Sequence, residues 1–179
     1  MENIILLRVL DIKMKKIIYV VGIIFLVIVI ILLIDNNYDE KIRVSLDKCV
    51  DGDTAWFVIN NKRVKVRFLG VDTPEVNEYY GDVASAYTCK MLTSSKDIYI
   101  EYDIDRYDKY DRTLAWVYVD TNNLSELLVS KGYARVRYVY DDYKYIDELC
   151  DKEYDAYNNK FGIWDRDYYK YEDGYCYDR

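Results

Sequence analysis

From Ile17 to Ile34 the chain reads IIYVVGIIFLVIVIILLI, eighteen residues without a charge. A helix rising about 1.5 Å per residue over that length covers most of a hydrocarbon core of roughly 30 Å. Being apolar on every face, it has no polar side to turn toward water. The sequence therefore predicts a transmembrane anchor over 17–34, with 1–16 as a cytoplasmic segment. Lys13, Lys15 and Lys16 precede the run and Asp35, Asp39 and Glu40 follow it, a charge bias that puts the remainder of the chain outside the cytoplasm. A secretory signal starting at Met14 and removed by cleavage is the competing reading. Against it, no small-x-small site follows the run, only large Ile and Leu and then Asp35-Asn36-Asn37. A buried core helix is the third reading, and it needs a larger protein around it than 179 residues supply.

Past residue 39 the pattern changes to short β-rich stretches. Strands are expected over 41–50, 55–60 and 63–71, with Asn60-Asn61 supplying turn chemistry between the last two. Val83, Ala86, Tyr87 and Met91 fall at helical spacing over 82–94, with Asp82 as N-terminal cap. Two further strands, 97–102 and 113–120, flank a charged loop. Helices are expected over 124–130, closed by Gly132, and over 142–159, closed near Gly162. This order predicts an α+β domain: an OB-fold-like, five-stranded β-barrel with three helices, preceded by the N-terminal transmembrane helix. The Tyr- and Asp-rich tail, 165–179, has no assignable period and reads as a loosely ordered arm or as a segment tethered through Cys176.

Composition narrows the chemistry. A net charge of −7 argues against coating nucleic acid through a broad basic surface, although a site touching a few phosphates stays open. Histidine is absent, which removes Ser-His-Asp catalysis and imidazole zinc sites and leaves acid–base work to carboxylates, Lys, Tyr or Cys. Cys49, Cys89, Cys150 and Cys176 form no CxxC pair. They are free buried thiols or, outside the cytosol, two disulfides in one of three pairings.

Three motifs stand out: Asp51-Gly52-Asp53-Thr54, then Arg67 through Val71-Asp72-Thr73-Pro74-Glu75, then Lys109-Tyr110-Asp111-Arg112. Read on chemistry alone, Asp53 after the first strand and Asp72 after the third could together hold a hard divalent cation. Arg67 is either a solvent-facing strand residue or a site residue. Arg67 and Arg112 could offer two guanidinium forks to a phosphate in its transition state. Glu75 follows Pro74, the chain's only proline, whose fixed φ helps aim it.

Taken jointly, and in their order and approximate spacing, the motifs resemble the staphylococcal nuclease (thermonuclease) family over most of 41–164, including the Gly162-Ile163-Trp164 close of the last helix. The resemblance implies a thermonuclease-like domain over 39–164 that hydrolyses DNA or RNA with Ca2+, leaving 3′-phosphate ends. It implies Asp53, Asp72 and the carbonyl of Thr73 as metal ligands, Glu75 as general base, and Arg67 and Arg112 as transition-state stabilisers. Lys109, Tyr110, Tyr138 and Tyr140 match positions that contact the nucleotide. Two departures are present: Asp111 stands where family members carry glycine, and the loop 76–81 is short. A non-catalytic nucleic-acid or protein-binding module on the same barrel is the alternative function.

Overall fold

The computed structural model describes residues 2–35, 41–166 and 169–177, with side chains of the first stretch described over 13–30. The chain divides into two units at residue 38. The first is a single helix, α1, Glu2–Asp35. Its side chains from Ile17 through Ile28 are largely exposed, Tyr19 at 72% and Phe25 at 67%. Among the described residues no helix is long and apolar enough to cross a membrane. The described side chains begin with Lys13, Lys15 and Lys16, and residues 31–34, the end of the apolar run, lie outside them. Of the expectation over 17–34, the helix is present, and the described residues do not show a span.

The second unit is built on five long strands. β1 (Ile42–Cys49), β2 (Thr54–Ile59) and β3 (Lys62–Phe68) form an antiparallel meander. The turn between β2 and β3 places Asn60 at φ 49° and Asn61 at φ 62°. Two consecutive positive φ values are what a type I′ hairpin requires, and Asn tolerates them. After β3 come the short β4 (Val71–Asp72), then α2 (Gly81–Ser94), β5 (Ile98–Glu101) and β6 (Thr113–Val119). β5 pairs with β1 and β6 with β5, both antiparallel, and β6 returns parallel to β3 with Val66 opposite Thr113 and Arg67 opposite Leu114. That last pairing closes the five-stranded barrel. Every residue of β6 is buried, Trp116 completely.

A short strand β7 (Asn122–Asn123) leads into α3 (Leu124–Ser130), capped by the Asn123 side chain accepting from the Ser125 N–H at 3.0 Å. β8 (Arg135–Val136) pairs with β4, and α4 (Ile146–Asn158) packs on α3 and β8. The turns that end α3 and α4 meet backbone to backbone, with the Ile163 N–H donating to the Gly132 carbonyl at 2.8 Å. Gly132 and Gly162 both have positive φ, and a Cβ on either would fall 2.1–2.2 Å from a carbonyl oxygen of the facing turn.

Three features differ most from the sequence expectation, the ends of β3 and α4 for a tertiary reason. The third strand does not run through to residue 71. Gly70, at φ 72°, breaks it, and a Cβ there would press on Ile146, Trp116 and Leu149 at 2.9–3.1 Å. α2 starts at Gly81 with no side-chain cap, so Asp82 is a first-turn acid and not the cap. α4 begins at Ile146 and not near 142, because the preceding residues are held elsewhere. The Lys144 N–H donates to Asp103 at 3.0 Å and its ammonium to Glu101 at 2.8 Å, while the Tyr145 hydroxyl donates to Glu101 at 3.0 Å. Glu101 and Asp103 are almost fully buried, and Tyr118 and the Trp116 indole complete their hydrogen bonds at 2.8 Å each.

Two disulfides, Cys49–Cys89 and Cys150–Cys176, settle the pairing left open by the sequence. The second ties the tail to α4, where the Tyr171 ring stacks on Tyr157 at 4.7 Å between centroids. Of the two readings of the tail, the tethered one holds.

Glu153 on α4 is fully buried and accepts the Val136 N–H at 2.7 Å through Oε1, while Oε2 has no hydrogen-bond partner among the described residues. Burial pushes its pKa up from 4.5 to about 7, against the opposing Val136 hydrogen bond and the Arg135 charge. The folded carboxyl thus keeps a proton that the unfolded one releases, so stability falls as pH rises from about 4.5 to about 7 and is flat above. Glu153→Gln keeps an acceptor for Val136 and should remove this slope. The urea-unfolding difference between variant and parent should grow by on the order of 3 kcal/mol from pH 4.5 to 8. A pH-independent difference would mean Glu153 ionises freely in the fold.

Candidate active site

The turn between β1 and β2 is shaped by its own aspartates. The Asp53 N–H donates to Asp51 Oδ1 at 3.1 Å, fixing the Asp51-Gly52-Asp53 turn. Gly52 is required by close approach: a Cβ there would sit 2.5 Å from Thr73 Oγ1. The Thr88 hydroxyl of α2 donates to the Gly52 carbonyl at 2.6 Å, and one residue further along α2 Cys89 is bonded to Cys49. The turn is therefore pinned to α2 from both of its sides.

Asp53 points from this turn toward the exit of β3. Its Oδ2 accepts both the backbone N–H and the hydroxyl of Thr73, at 2.8 and 3.0 Å. Its Oδ1 accepts the Thr54 hydroxyl at 3.1 Å and pairs with Arg67 Nη1 at 3.0 Å. Arg67 bridges onward, Nη2 to Asp72 Oδ1 at 3.5 Å, and the other Asp72 oxygen meets Arg135 Nη2 at 3.1 Å. Of the two readings for Arg67, solvent-facing strand residue or site residue, burial at 6% exposure removes the first. Burial pushes the Asp72 carboxyl up, with Asp53 adding to the rise, against the pull of Arg67, Arg135 and Arg137. Asp51 is raised too, by burial and then by Asp53.

Three acids, Asp51, Asp53 and Asp72, stand against two arginines, Arg67 and Arg135, and their hard oxygens are the donor type that calcium prefers. Among the described residues no group of three or more His, Cys, Asp or Glu side chains is arranged to hold a metal. A site here would rest on two carboxylates, a carbonyl and waters.

Arg112 stands immediately before Thr113, which lies opposite Val66, so the barrel seam brings it beside the strand that carries Arg67. Its guanidinium pairs with Asp108 at 2.6 Å through Nε, and its N–H donates to the same carboxylate at 2.9 Å. Burial works against ionisation of Asp108, but the hydrogen bonds from Arg112 and from the Tyr110 N–H bring its pKa below the ordinary value. Asp111 adopts the left-handed conformation, φ 57°, which glycine takes at no steric cost, and Asp108, not Asp111, is the residue that holds Arg112.

Glu75 is exposed at the start of a tight loop, followed by turns that close with Glu78 N–H to the Glu75 carbonyl at 2.7 Å and Gly81 N–H to the Glu78 carbonyl at 3.0 Å. Glu78 Oε2 accepts the Glu75 N–H at 3.1 Å and the Tyr169 hydroxyl at 3.4 Å. The Tyr79 hydroxyl donates to Asp165. Tyr169 in turn lies under the Arg135 guanidinium at 4.3 Å. The tail thus braces the loop that presents Glu75. Sequence reasoning missed this and missed Arg135. The i, i+4 spacing of Asp108 and Arg112 was readable, whereas the reach of residues 165 and 169 back to 78 and 79 was not.

Lys109 and Tyr110 are exposed, and the Tyr110 ring lies near both Lys109 and Arg112, at 5.1 and 5.6 Å. Tyr138 and Tyr140 are exposed with centroids 6.4 Å apart, and the Arg67 guanidinium lies 5.6 Å from the Tyr138 ring. Tyr138 has φ 58°, so the pair follows the end of β8 and is not a continuing strand.

The closed barrel gathers carboxylates and guanidiniums at one seam. Residues 65–166 match the family model described as staphylococcal nuclease homologue. The chain belongs to the staphylococcal nuclease family and is a nuclease hydrolase. It is 40% identical over 142 residues to the endonuclease YncB of Bacillus subtilis, covering 75% of this chain and 67% of that protein. It is 40% identical over 144 residues to the SPbeta prophage-derived endonuclease YokF of the same organism, spanning 76% of this chain and about half, 48%, of that protein. A thermonuclease of Staphylococcus hyicus is 33% identical over 135 residues, 72% of this chain and 79% of that one.

A Cβ at Gly81 would lie 1.8 Å from the Glu75 carbonyl oxygen, so Gly81→Ala must displace the Glu75 loop. Displacements of about 1 Å cost roughly a hundredfold in rate where a reacting group is involved. The expected result is a fall of about tenfold to a hundredfold in kcat on a single-stranded oligonucleotide, with the near-ultraviolet circular dichroism of the barrel retained. An unchanged kcat would show that the loop's position is irrelevant to turnover.

Proposed function

We propose that this domain is a calcium-dependent nuclease acting on DNA and/or RNA, with Glu75 as general base and Arg67 and Arg112 stabilising the transition state. The observation that most supports this is the barrel seam: Arg67 lies on β3, Arg112 immediately precedes β6, which pairs with β3, and Asp53 and Asp72 both contact Arg67. Calcium, when bound, would polarise a phosphate oxygen, and Asp53, Asp72 and the Thr73 carbonyl are the groups to hold it. Hydrogen bonds from Thr73 and Thr54 fix the orientation of the Asp53 carboxylate.

Arg67 has five N–H donors, and its contacts with Asp53, Asp72 and the Phe68 carbonyl use three. The others are available to phosphate oxygens as charge builds on them. Arg112, kept oriented by Asp108, approaches from the loop that leads into the neighbouring strand. Glu75, exposed and braced from behind by Glu78, takes the proton of the attacking water. Attack in line with the departing 5′-oxygen would leave 3′-phosphate ends. Lys109, Tyr110, Tyr138 and Tyr140 would contact the backbone and bases, a sequence-tolerant mode of binding.

The same proposal places the domain outside the cytoplasm, held at a membrane by α1. Two formed disulfides suit an oxidising compartment, and the exposed apolar side chains of α1 need a covering that water does not give. In cells producing the full chain, the protein should stay with membranes after an alkaline carbonate wash, and recovery in the soluble fraction would overturn the anchoring.

For the chemistry, calcium-dependent cleavage of a labelled single-stranded oligonucleotide is expected, lost with a chelator and reduced about a hundredfold or more by Glu75→Gln. Equal cutting by parent and variant would remove Glu75 from the mechanism. Binding without cutting by either would make the domain a nucleic-acid-binding module.

A further inference from the structure

Beyond Tyr140 the aromatic path does not end on open surface. A cavity of about 280 Å³ lies beside it, walled by Tyr140 on one side and by Tyr175 of the tail, with Tyr143, Ile146, Asp141 and Asp142 completing it. Tyr175 owes its place to the Cys150–Cys176 disulfide, which fixes the next residue to α4. Tyr143 is held by its hydroxyl donating to Asp105. Tyr140 is 72% exposed and Tyr175 38%.

The Arg67 guanidinium lies 5.6 Å from the Tyr138 ring, Tyr138 lies 6.4 Å from Tyr140, and Tyr140 lines the cavity, separations of about one nucleotide each. Its size falls just below that of pockets that take whole drug-sized ligands, which begin at about 300 Å³, and suits one flat ring. Its charge decides which part of a nucleotide enters. Asp141 and Asp142 would repel a phosphate and accept hydrogen bonds from a base edge that donates them.

We infer that the cavity between Tyr140 and Tyr175 is a subsite for one unpaired nucleobase of the substrate strand, two nucleotides from the reacting phosphate, and that it favours bases carrying an exocyclic amino group. Cytosine and adenine present an NH₂ donor to a carboxylate, whereas thymine presents a carbonyl oxygen at the same place. Stacking of a base on Tyr140 is indifferent to sequence, so the carboxylates supply the discrimination. This rests on the nuclease reading of the Arg67 site and adds a base preference that the backbone contacts there do not create.

The test uses the full chain with calcium and decanucleotides of thymine carrying a single cytosine stepped along the strand, with cleavage positions mapped by mass spectrometry. The expected result is cutting enhanced about fivefold at a bond two nucleotides from the cytosine, relative to the same bond in all-thymine strand. Tyr175→Ala and, separately, Asp142→Asn should flatten this profile. Asp142 is exposed, so its variant remains informative should the tail variant fail to fold. Uniform cutting by the parent protein, or a profile that survives both substitutions, would overturn the subsite while leaving the nuclease reading intact. Absence of any cutting would remove the nuclease reading and the subsite with it.

Discussion

The parallel pairing of β3 with β6 is the contact on which the rest of this domain depends. Four antiparallel pairings link the five strands in the order β3-β2-β1-β5-β6, and such a sheet without closure would leave β3 and β6 unjoined. Joining them satisfies both edges and buries β6 on every residue. The same join sets the chemistry, since it fixes the strand after Arg112 in register with the strand that carries Arg67. A shift of one residue would turn one arginine to the opposite face.

Beside that seam the site is held by charges that constrain one another. Asp53, Arg67, Asp72 and Arg135 form a chain of ion pairs of 3.0–3.5 Å, largely removed from water. Buried ion pairs contribute little net stability because desolvation offsets their attraction, but removing one partner leaves a charge uncompensated. The arrangement is thus better understood as orienting the carboxylates than as stabilising the fold. The stability comes from elsewhere: the Trp116-centred core, the paired Gly132 and Gly162 turns, and the two disulfides.

The disulfides also divide the labour between scaffold and site. Cys49–Cys89 ties the Asp51–Asp53 turn to α2, where Thr88 already holds Gly52. Cys150–Cys176 ties the tail to α4 and with it the segment whose Tyr169 reaches Glu78. A tail without hydrophobic period thereby becomes part of the support for the loop that presents Glu75.

The sequence by itself determined the barrel, the three helices that follow its strands, the positive-φ turn at Asn60-Asn61 and the motifs that carry the acids and arginines. These are local: strand alternation, helical spacing and turn residues act within a few positions of themselves. Tertiary structure decided the rest. It broke the third strand at Gly70, where Trp116 and Leu149 crowd in, and delayed α4 until Ile146, because Glu101 and Asp103 claim the residues before it. It chose one disulfide pairing among three, gave Asp72 the partner Arg135, and brought the tail back to Glu78 and Tyr79. Each of these joins residues far apart in the chain, and their approach is fixed by barrel closure and helix packing, for which sequence spacing carries no signal.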